Sequence, residues 1–389
     1  MSASHQSLPG PTEIVIKLKN NFRVAAKTWG SSSSATKVLA LHGWMDNSGT
    51  HDSIAPHLAI AGMHVVAIDF IGHGRSQHVP PETEPYFINY VLQVIDTATA
   101  LGWESFHIFA HSMGAGVASL VASIAPELVR SMVLFDALGP ISSKVSSAKQ
   151  LEDAMRDRKQ YLNRVPKLYP SLDACIAKLR ENNTDIAAHT ARAIVSRGTI
   201  QVEGGYQFCH DPRLLAKSMT VFRESDVLDY LQRIRCPVLV IWAQDTIDRY
   251  KMNPNMKNPA PSVIVGAVSE ASTAFALSSN SVSPVPPSSS SPALGEPSIV
   301  AAGTEISSPS NPPPSDTTAQ RPEVENPRNV PKPSSAALGH MAITMDRRMA
   351  EIQHLTKVVV SGSHHVHSDN PEIVLPHVLP FLLPQRAKL

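Results

Sequence analysis

The chain has 389 residues, enough for one large domain or two modest ones, and a formal net charge of +1 at pH 7. A composition without a basic excess or blocks of like charge argues against nucleic acid as a partner. The three cysteines, Cys175, Cys209 and Cys236, form no CxxC pair, which argues against a secreted disulfide framework.

Residues 1–11 are polar and lack the apolar stretch of a signal peptide. No apolar run in the sequence approaches the length that a membrane span requires. The expectation is a soluble intracellular protein without a membrane span.

Strand-like and helix-like patterns alternate through the first part of the chain. A hairpin is predicted at residues 13–19 and 22–29, and further strands at 37–41, 63–69, 106–110 and 130–137, with helices at 51–61, 86–101 and about 113–124. Each later strand is a continuous apolar run, which predicts a mostly parallel sheet with helices on both faces. In such sheets the functional residues lie at the carboxyl ends of the strands.

The strand at residues 106–110 ends at a turn that is surrounded by small residues. Ala110 and Gly114 lie two positions before and after Ser112, which is the pattern of a nucleophile elbow with alanine in place of the usual first glycine. The turn holds the serine hydroxyl at its tip, and the N–H of Met113 has no partner within the new helix. We predict Ser112 as a nucleophile and the Met113 N–H as an oxyanion donor.

The strand at residues 37–41 ends at His42-Gly43-Trp44. Glycine lets the chain turn back toward the elbow, so the Trp44 N–H is predicted to be the second oxyanion donor. The alternative interpretation is a turn at a strand end with a buried histidine.

The character of the sequence changes twice after this first core segment, residues 1–137. Short helical patterns with loops at 138–235 predict a helical lid over the site, or alternatively a small packing subdomain, and the core resumes at 236–258. Residues 259–337 are predicted to be a disordered insert, because 16 of the 32 prolines lie between Pro254 and Pro333. The core is completed by 338–389, with a helix to about residue 355, a strand at 356–361 and a last helix at 371–382.

A serine nucleophile needs a base within hydrogen-bond reach. In this topology the base follows the last strand, where the Gly-x-His loop offers His364, with His365 and His367 as neighbours. Three histidines so close together could also bind a metal, but the sequence has no second cluster with ligand spacing. We therefore predict His364 as the base, and neither a metal nor a cofactor.

The acid that orients the base is expected in the loop after the strand at 236–243. Asp245 is the first choice there and Asp248 an alternative, although the usual spacing would place the acid at Thr246. Asp136, at the end of the strand after the elbow, is the other alternative.

With these motifs in this order, the chain resembles the α/β-hydrolases, and within them the serine hydrolase-like proteins, the kraken-like group. The residues that carry the resemblance are Trp29-Gly30, Leu41 to Asn47, Asp69 to Ser76, His111 to Gly114, Leu134 to Asp136, Asp211 to Leu214 and Gly362 to His367. The resemblance implies the α/β-hydrolase fold and a serine-based mechanism, but it does not specify a substrate.

The function predicted from these residues is hydrolysis of an ester or thioester of a small or acyl substrate through a Ser-His-Asp triad and an acyl-enzyme. A binding protein that kept the fold without turnover is one alternative, and a C–C bond hydrolase or a cofactor-free peroxidase with the same triad is another. Ser112 at the elbow argues against an epoxide hydrolase or a dehalogenase, which need aspartate there.

The sequence ends in Ala387-Lys388-Leu389, a close variant of the Ser-Lys-Leu tripeptide that directs proteins to peroxisomes. This ending predicts the peroxisomal import receptor as a partner and the peroxisomal matrix as the location, with the cytoplasm as the alternative.

Overall fold

The computed structural model describes residues 8–162, 165–251 and 345–383. The predicted insert at 259–337 and the C-terminal tripeptide lie outside these ranges. The strands are β1 (Thr12–Lys17), β2 (Arg23–Trp29), β3 (Lys37–Leu41), β4 (His64–Ile68), β5 (Phe106–His111), β6 (Val129–Phe135), β7 (Thr199–Val202), β8 (Gly205–Phe208), β9 (Val238–Ala243) and β10 (Leu355–Val360). The α-helices are α1 (Ala55–Ile60), α2 (Phe87–Ala100), α3 (Met113–Ile124), α4 (Ser147–Leu162), α5 (Leu172–Asn182), α6 (Ala188–Gly198), α7 (Glu224–Gln232), α8 (Gln244–Lys251), α9 (Val366–Asp369) and α10 (Pro371–Leu382).

Eight of these strands form one sheet in the order β1-β2-β4-β3-β5-β6-β9-β10. The pairs from β4 to β10 are all parallel, whereas β2 is antiparallel to both of its neighbours. The predicted mostly parallel sheet and N-terminal hairpin are therefore confirmed. The carboxyl ends of the six parallel strands lie along one edge, where a site is expected.

The central strands are buried on both faces, which explains why each one reads as a continuous apolar run. Alternate residues, such as Leu39 and Leu41, pack with the apolar sides of α2, α3 and α7. The intervening residues, such as Val38 and Ala40, pack with α1 and α10 on the opposite face. Helices on both faces of the sheet were predicted and are confirmed.

Between β6 and β9 the chain forms α4 to α7, a 3-10 turn at Pro212–Leu215 and the β7–β8 hairpin, which the sequence patterns did not predict. Part of this segment has its own small core around Cys175, Ile186 and Ile194. The role of residues 138–235 as a lid, and the predicted segment boundaries, stay predictions.

A buried ion pair attaches the segment to the main sheet. Arg197 at the end of α6 is 2% exposed, and its Nε donates to both carboxylate oxygens of Asp69, which follows β4, at 2.9 Å. Nη1 of the same arginine reaches Glu13 on β1 at 2.7 Å. Because a buried charge is costly without its partner, this pairing restricts where α6 can sit on the core.

None of the helices in residues 8–162, 165–251 and 345–383 is long and apolar enough to cross a membrane.

The chain segments that flank the predicted insert are attached to the core. β9 and β10 pair directly, with Leu355 opposite Val238, and the helical residues 345–350 are anchored by Arg348, which donates to Glu224 and to the Leu138 carbonyl. Since a long loop adds little to the entropy cost of closure, we expect deletion of residues 261–334 to leave the urea midpoint of unfolding near that of the full chain.

Arg348→Ala is the contrasting variant, because it leaves Glu224 without its buried partner, a change that costs about 3–5 kcal/mol elsewhere. A deletion that destabilises the chain as much as Arg348→Ala would show that the deleted residues support the core.

Candidate active site

The predicted nucleophile lies at a strained turn between β5 and α3. Ser112 has φ +50° and ψ −114°, a conformation that non-glycine residues rarely adopt, and its N–H donates to the Phe135 carbonyl at 3.0 Å. Its hydroxyl does not cap α3, which begins at Met113. Strain of this kind persists only where surrounding contacts impose it, and it is common at functional sites.

Close packing explains the glycine two residues after Ser112. A Cβ on Gly114 would lie 2.6 Å from the Leu41 carbonyl oxygen and 2.8 Å from that of His42. Glycine therefore lets the first turn of α3 approach the end of β3, which brings the segments of Met113 and Trp44 together. The roles of the Met113 and Trp44 N–H groups as oxyanion donors stay predictions.

A buried histidine fixes the loop that carries Trp44. His42 Nε2 accepts a hydrogen bond from the Phe70 N–H at 2.9 Å, so its Nδ1 carries the proton and donates to the Gly43 carbonyl at 2.7 Å. Burial lowers the pKa of His42, which keeps the ring neutral in this arrangement. The structure therefore has a strand-end turn with a buried histidine, and the oxyanion role of Trp44 stays a prediction.

The candidate base and one candidate acid are in direct contact. His364 Nδ1 lies 2.5 Å from Oδ2 of Asp136, and the Asp136 side chain is fully buried while that of His364 is 36% exposed. Asp136 also accepts from the Ala243 N–H at 3.0 Å and from the Thr246 hydroxyl at 2.6 Å. Because an ionised carboxylate only accepts, the His364 proton lies on Nδ1 and Nε2 is left to act as a base.

The structure thus brings Asp136, and not the preferred Asp245, into contact with His364. The expected loop after β9 is instead the first turn of α8, where acidic side chains are stabilised by the helix dipole. The Asp245 side chain is exposed there, and Asp248 accepts from Gln244 within the same helix. Thr246, at the position where the usual spacing places the acid, supports Asp136 with its hydroxyl.

Within the described ranges, the Ser112 hydroxyl makes no hydrogen bond to His364. Catalytic hydrogen bonds are often long in structures without substrate and shorten in the complex. The two residues nevertheless lie at one edge of the sheet, since the ring of His111, which precedes Ser112, contacts that of His364 with centroids 4.6 Å apart and planes tilted by 55°.

The three histidines of the last loop have three different partners. His364 contacts Asp136, His365 Nε2 lies 3.2 Å from Asp46 Oδ2, and His367 Nε2 lies 3.3 Å from the Thr50 hydroxyl. They do not converge on one point as the ligands of a metal would. In the part of the chain that the structure describes, the group with ligand-like spacing is Asp46, His111 and His365.

Asp46 has a carboxylate that is nearly buried between two imidazoles, His365 at 3.2 Å and His111 at 3.4 Å. Burial raises the pKa of Asp46, but the neighbouring His365 and His111 together outweigh it and hold the pKa well below the usual range. Burial lowers the pKa of His365, but Asp46, with smaller contributions from Asp369 and Asp136, outweighs burial and the pKa is raised. For His111 burial dominates and lowers the pKa to about 4. These shifts favour the charged forms of Asp46 and His365 and the neutral form of His111.

Comparison with known proteins agrees with this geometry. The profile of the family described as alpha/beta hydrolase fold matches residues 37–271. The chain belongs to the alpha/beta hydrolase family. A serine hydrolase-like protein of Dictyostelium discoideum is 41% identical over 249 residues, which are 62% of this chain and 69% of that protein. A serine hydrolase-like protein of Danio rerio is 33% identical over 224 residues, 56% and 68% of the two chains.

A hypothetical protein of Pseudomonas aeruginosa PAO1 with a known crystal structure is 31% identical, with a TM-score of 0.56 over 60% of this chain and 81% of that one. The resemblance predicted from the sequence, an α/β-hydrolase of the serine hydrolase-like group, is therefore confirmed.

Sequence reasoning gave no role to three residues that support the site of this α/β-hydrolase: Asp46, His111 and Thr246. The first two stand in motifs already quoted, the His-Gly-Trp-x-Asp-Asn run and the elbow. Their position in specific motifs was a signal, but their contacts join segments that are far apart in the chain.

Proposed function

We propose that this α/β-hydrolase is a serine hydrolase that cleaves an ester or thioester of a small or acyl substrate. Ser112 is the nucleophile, His364 the general base and acid, and Asp136 the residue that orients His364. The N–H groups of Trp44 and Met113 stabilise the oxyanion. The observation that carries the proposal is the 2.5 Å contact between His364 and a fully buried Asp136, beside a strained serine elbow.

In the acylation step Ser112 Oγ attacks the carbonyl carbon of the substrate while His364 Nε2 takes the hydroxyl proton. Negative charge moves to the substrate oxygen, where the two N–H groups act as donors. The tetrahedral intermediate then collapses, and the bond to the alcohol or thiol breaks. His364 returns its proton to this leaving group, and the acyl group remains on Ser112.

Deacylation repeats these steps with water. His364 takes a proton from the water as its oxygen attacks the acyl carbon, and the ester bond to Ser112 Oγ breaks. The serine recovers its proton from His364, and the free acid leaves. Asp136 stays ionised throughout and stabilises the imidazolium, a role that suits its three hydrogen-bond donors.

The Ser112 assignment has a direct test in covalent labelling. Wild-type protein should react with a fluorophosphonate probe at one site and hydrolyse members of a panel of acyl esters and acyl-CoA thioesters. Ser112→Ala should lose both activities, because the attacking oxygen is gone. The measurements are the labelled peptide by mass spectrometry and the steady-state rates.

Ser123→Ala is the matched control, since Ser123 lies in the same helix with a buried hydroxyl that has no hydrogen-bond partner in the described structure. Labelling that persists in Ser112→Ala would refute the assignment. A folded wild-type protein that neither reacts with the probe nor hydrolyses any ester would favour the binding-protein alternative. Turnover of C–C substrates alone would favour the C–C bond hydrolase.

The acid is tested by comparing three isosteric variants. Asp136→Asn should lower kcat by about 10³–10⁴-fold, because an amide can favour the wrong tautomer of the base. Asp245→Asn and Asp248→Asn should stay near the wild-type kcat, since their side chains lie on α8 away from His364. A severe loss in Asp245→Asn together with a mild one in Asp136→Asn would reverse the assignment.

Peroxisomal location is a separate proposal, made from the sequence, because residues 384–389 lie outside the described ranges. The import receptor requires a small residue, a basic residue and a leucine with a free carboxylate, as Ala387, Lys388 and Leu389 supply when Leu389 is the C-terminus. A fluorescent protein fused at the N-terminus should form puncta that coincide with a peroxisomal marker. Deleting the three residues should disperse them, whereas a diffuse signal from the intact fusion would refute the proposal.

A further inference from the structure

The three segments that carry the proposed chemistry meet at a second carboxylate. Asp46 lies two residues after Trp44, His111 directly precedes Ser112, and His365 directly follows His364. One oxygen of Asp46, Oδ2, lies 3.4 Å from His111 Nδ1 and 3.2 Å from His365 Nε2. All three side chains are more than nine-tenths buried. We call these residues the Asp46 cluster.

The hydrogen-bond partners determine which ring nitrogens of the Asp46 cluster carry protons. His111 Nε2 lies 3.0 Å from the main-chain oxygen of His364, which only accepts, so His111 carries its proton on Nε2 and donates there. His365 donates from Nε2 to Asp46. The main chain of His364 is thus held by His111, while its side chain is held by Asp136.

This double attachment matters because the base comes from a distant strand. β10 is three positions from β5 in the sheet, so the His364 loop must extend back over about 14 Å of sheet to reach Ser112. Asp46 follows β3, the neighbour of β5, and through His365 it holds the loop that carries His364 on the side opposite β10. Its position also depends on Gly43, where a Cβ would lie 2.9 Å from His111 Nδ1 and 3.1 Å from Asp46 Oδ2.

We propose that the Asp46 cluster positions the triad: Asp46 holds the imidazole of His365 through a hydrogen bond, His111 holds the main chain of His364, and together they keep His364 in register with Ser112. The three are positioning residues, not catalytic ones, because none of them touches the reacting atoms in the proposed mechanism. This inference rests on the proposed function, since it assigns the cluster a role in that reaction.

The test compares Asp46→Asn with Asp52→Asn. Both changes neutralise a carboxylate of similar size, but Asp52 pairs with Lys27, outside the cluster. Misplacing a catalytic group by about 1 Å can cost a hundredfold in rate, so Asp46→Asn should lower kcat by about tenfold to hundredfold with KM little changed. The rate of fluorophosphonate labelling at Ser112 should fall in parallel. Asp52→Asn should retain the wild-type kcat, and His111→Gln should reproduce the loss of Asp46→Asn.

Urea unfolding of each variant separates positioning from loss of fold. A kcat for Asp46→Asn within twofold of wild type would overturn the proposal, and so would a loss that the unfolded fraction accounts for. Dialysis against a chelator, with metal analysis, adds another check. A stoichiometric ion that leaves together with the activity would mean that a cation joins the three side chains, and it would overturn the proposal.

A measurement that does not require catalytic activity separates the test of the positioning role from the test of the proposed function. Long-range ¹H–¹⁵N spectra of the histidines should place protons on His111 Nε2 and His365 Nε2, and Asp46→Asn should shift both while Asp52→Asn leaves them unchanged. If wild type neither labels nor turns over, the proposed function fails while these spectra still report on the cluster. Spectra in which Asp46→Asn leaves both imidazoles unchanged would overturn the positioning role.

Discussion

The contact between Asp136 and His364 is the constraint on which the site depends, because it joins strands that do not pair. Asp136 follows β6 and His364 follows β10, with β9 between the two strands. The loop that carries His364 therefore has to cross β9, and it closes on the fully buried carboxyl group of Asp136. The N–H of Ala243 and the hydroxyl of Thr246, both from the intervening segment, fill the other positions on the carboxylate. All three segments are fixed by one side chain.

This arrangement explains why the carboxylate that contacts His364 was difficult to predict from the sequence. Asp136, Asp245 and Asp248 all follow core strands, so strand position alone could not choose among them. The choice depends on a helix that begins immediately after β9 and turns Asp245 outward. Acidic residues are favoured at helix N-termini as well as in catalytic loops, and local sequence does not separate these two roles.

Local geometry, by contrast, was readable from the sequence. The Ser112 elbow needs small residues at fixed distances, and the β-strands need apolar runs, so both leave a pattern within a few positions. The β7–β8 hairpin and the Asp46 cluster leave no comparable pattern. The contact between Asp46 and His365 joins residues 319 positions apart, and it exists only because β3, β5 and β10 end at one edge. Contacts that depend on sheet order could be inferred only after the order was known.

The same edge also holds the segment between β6 and β9. Asp69, at the end of β4, receives Arg197 of α6, and it also accepts from the N–H of Ser48 in the 3-10 turn that follows the Asp46 loop. Buried ion pairs add little net stability but penalise alternative positions strongly, since a misplaced partner leaves a buried charge alone. Asp69 therefore connects α6 to the turn at Ser48, as Asp136 connects the loop after β10 to the end of β6. In both cases a buried carboxylate follows a strand of the sheet. Its hydrogen bonds fix the position of a segment that is distant in the sequence.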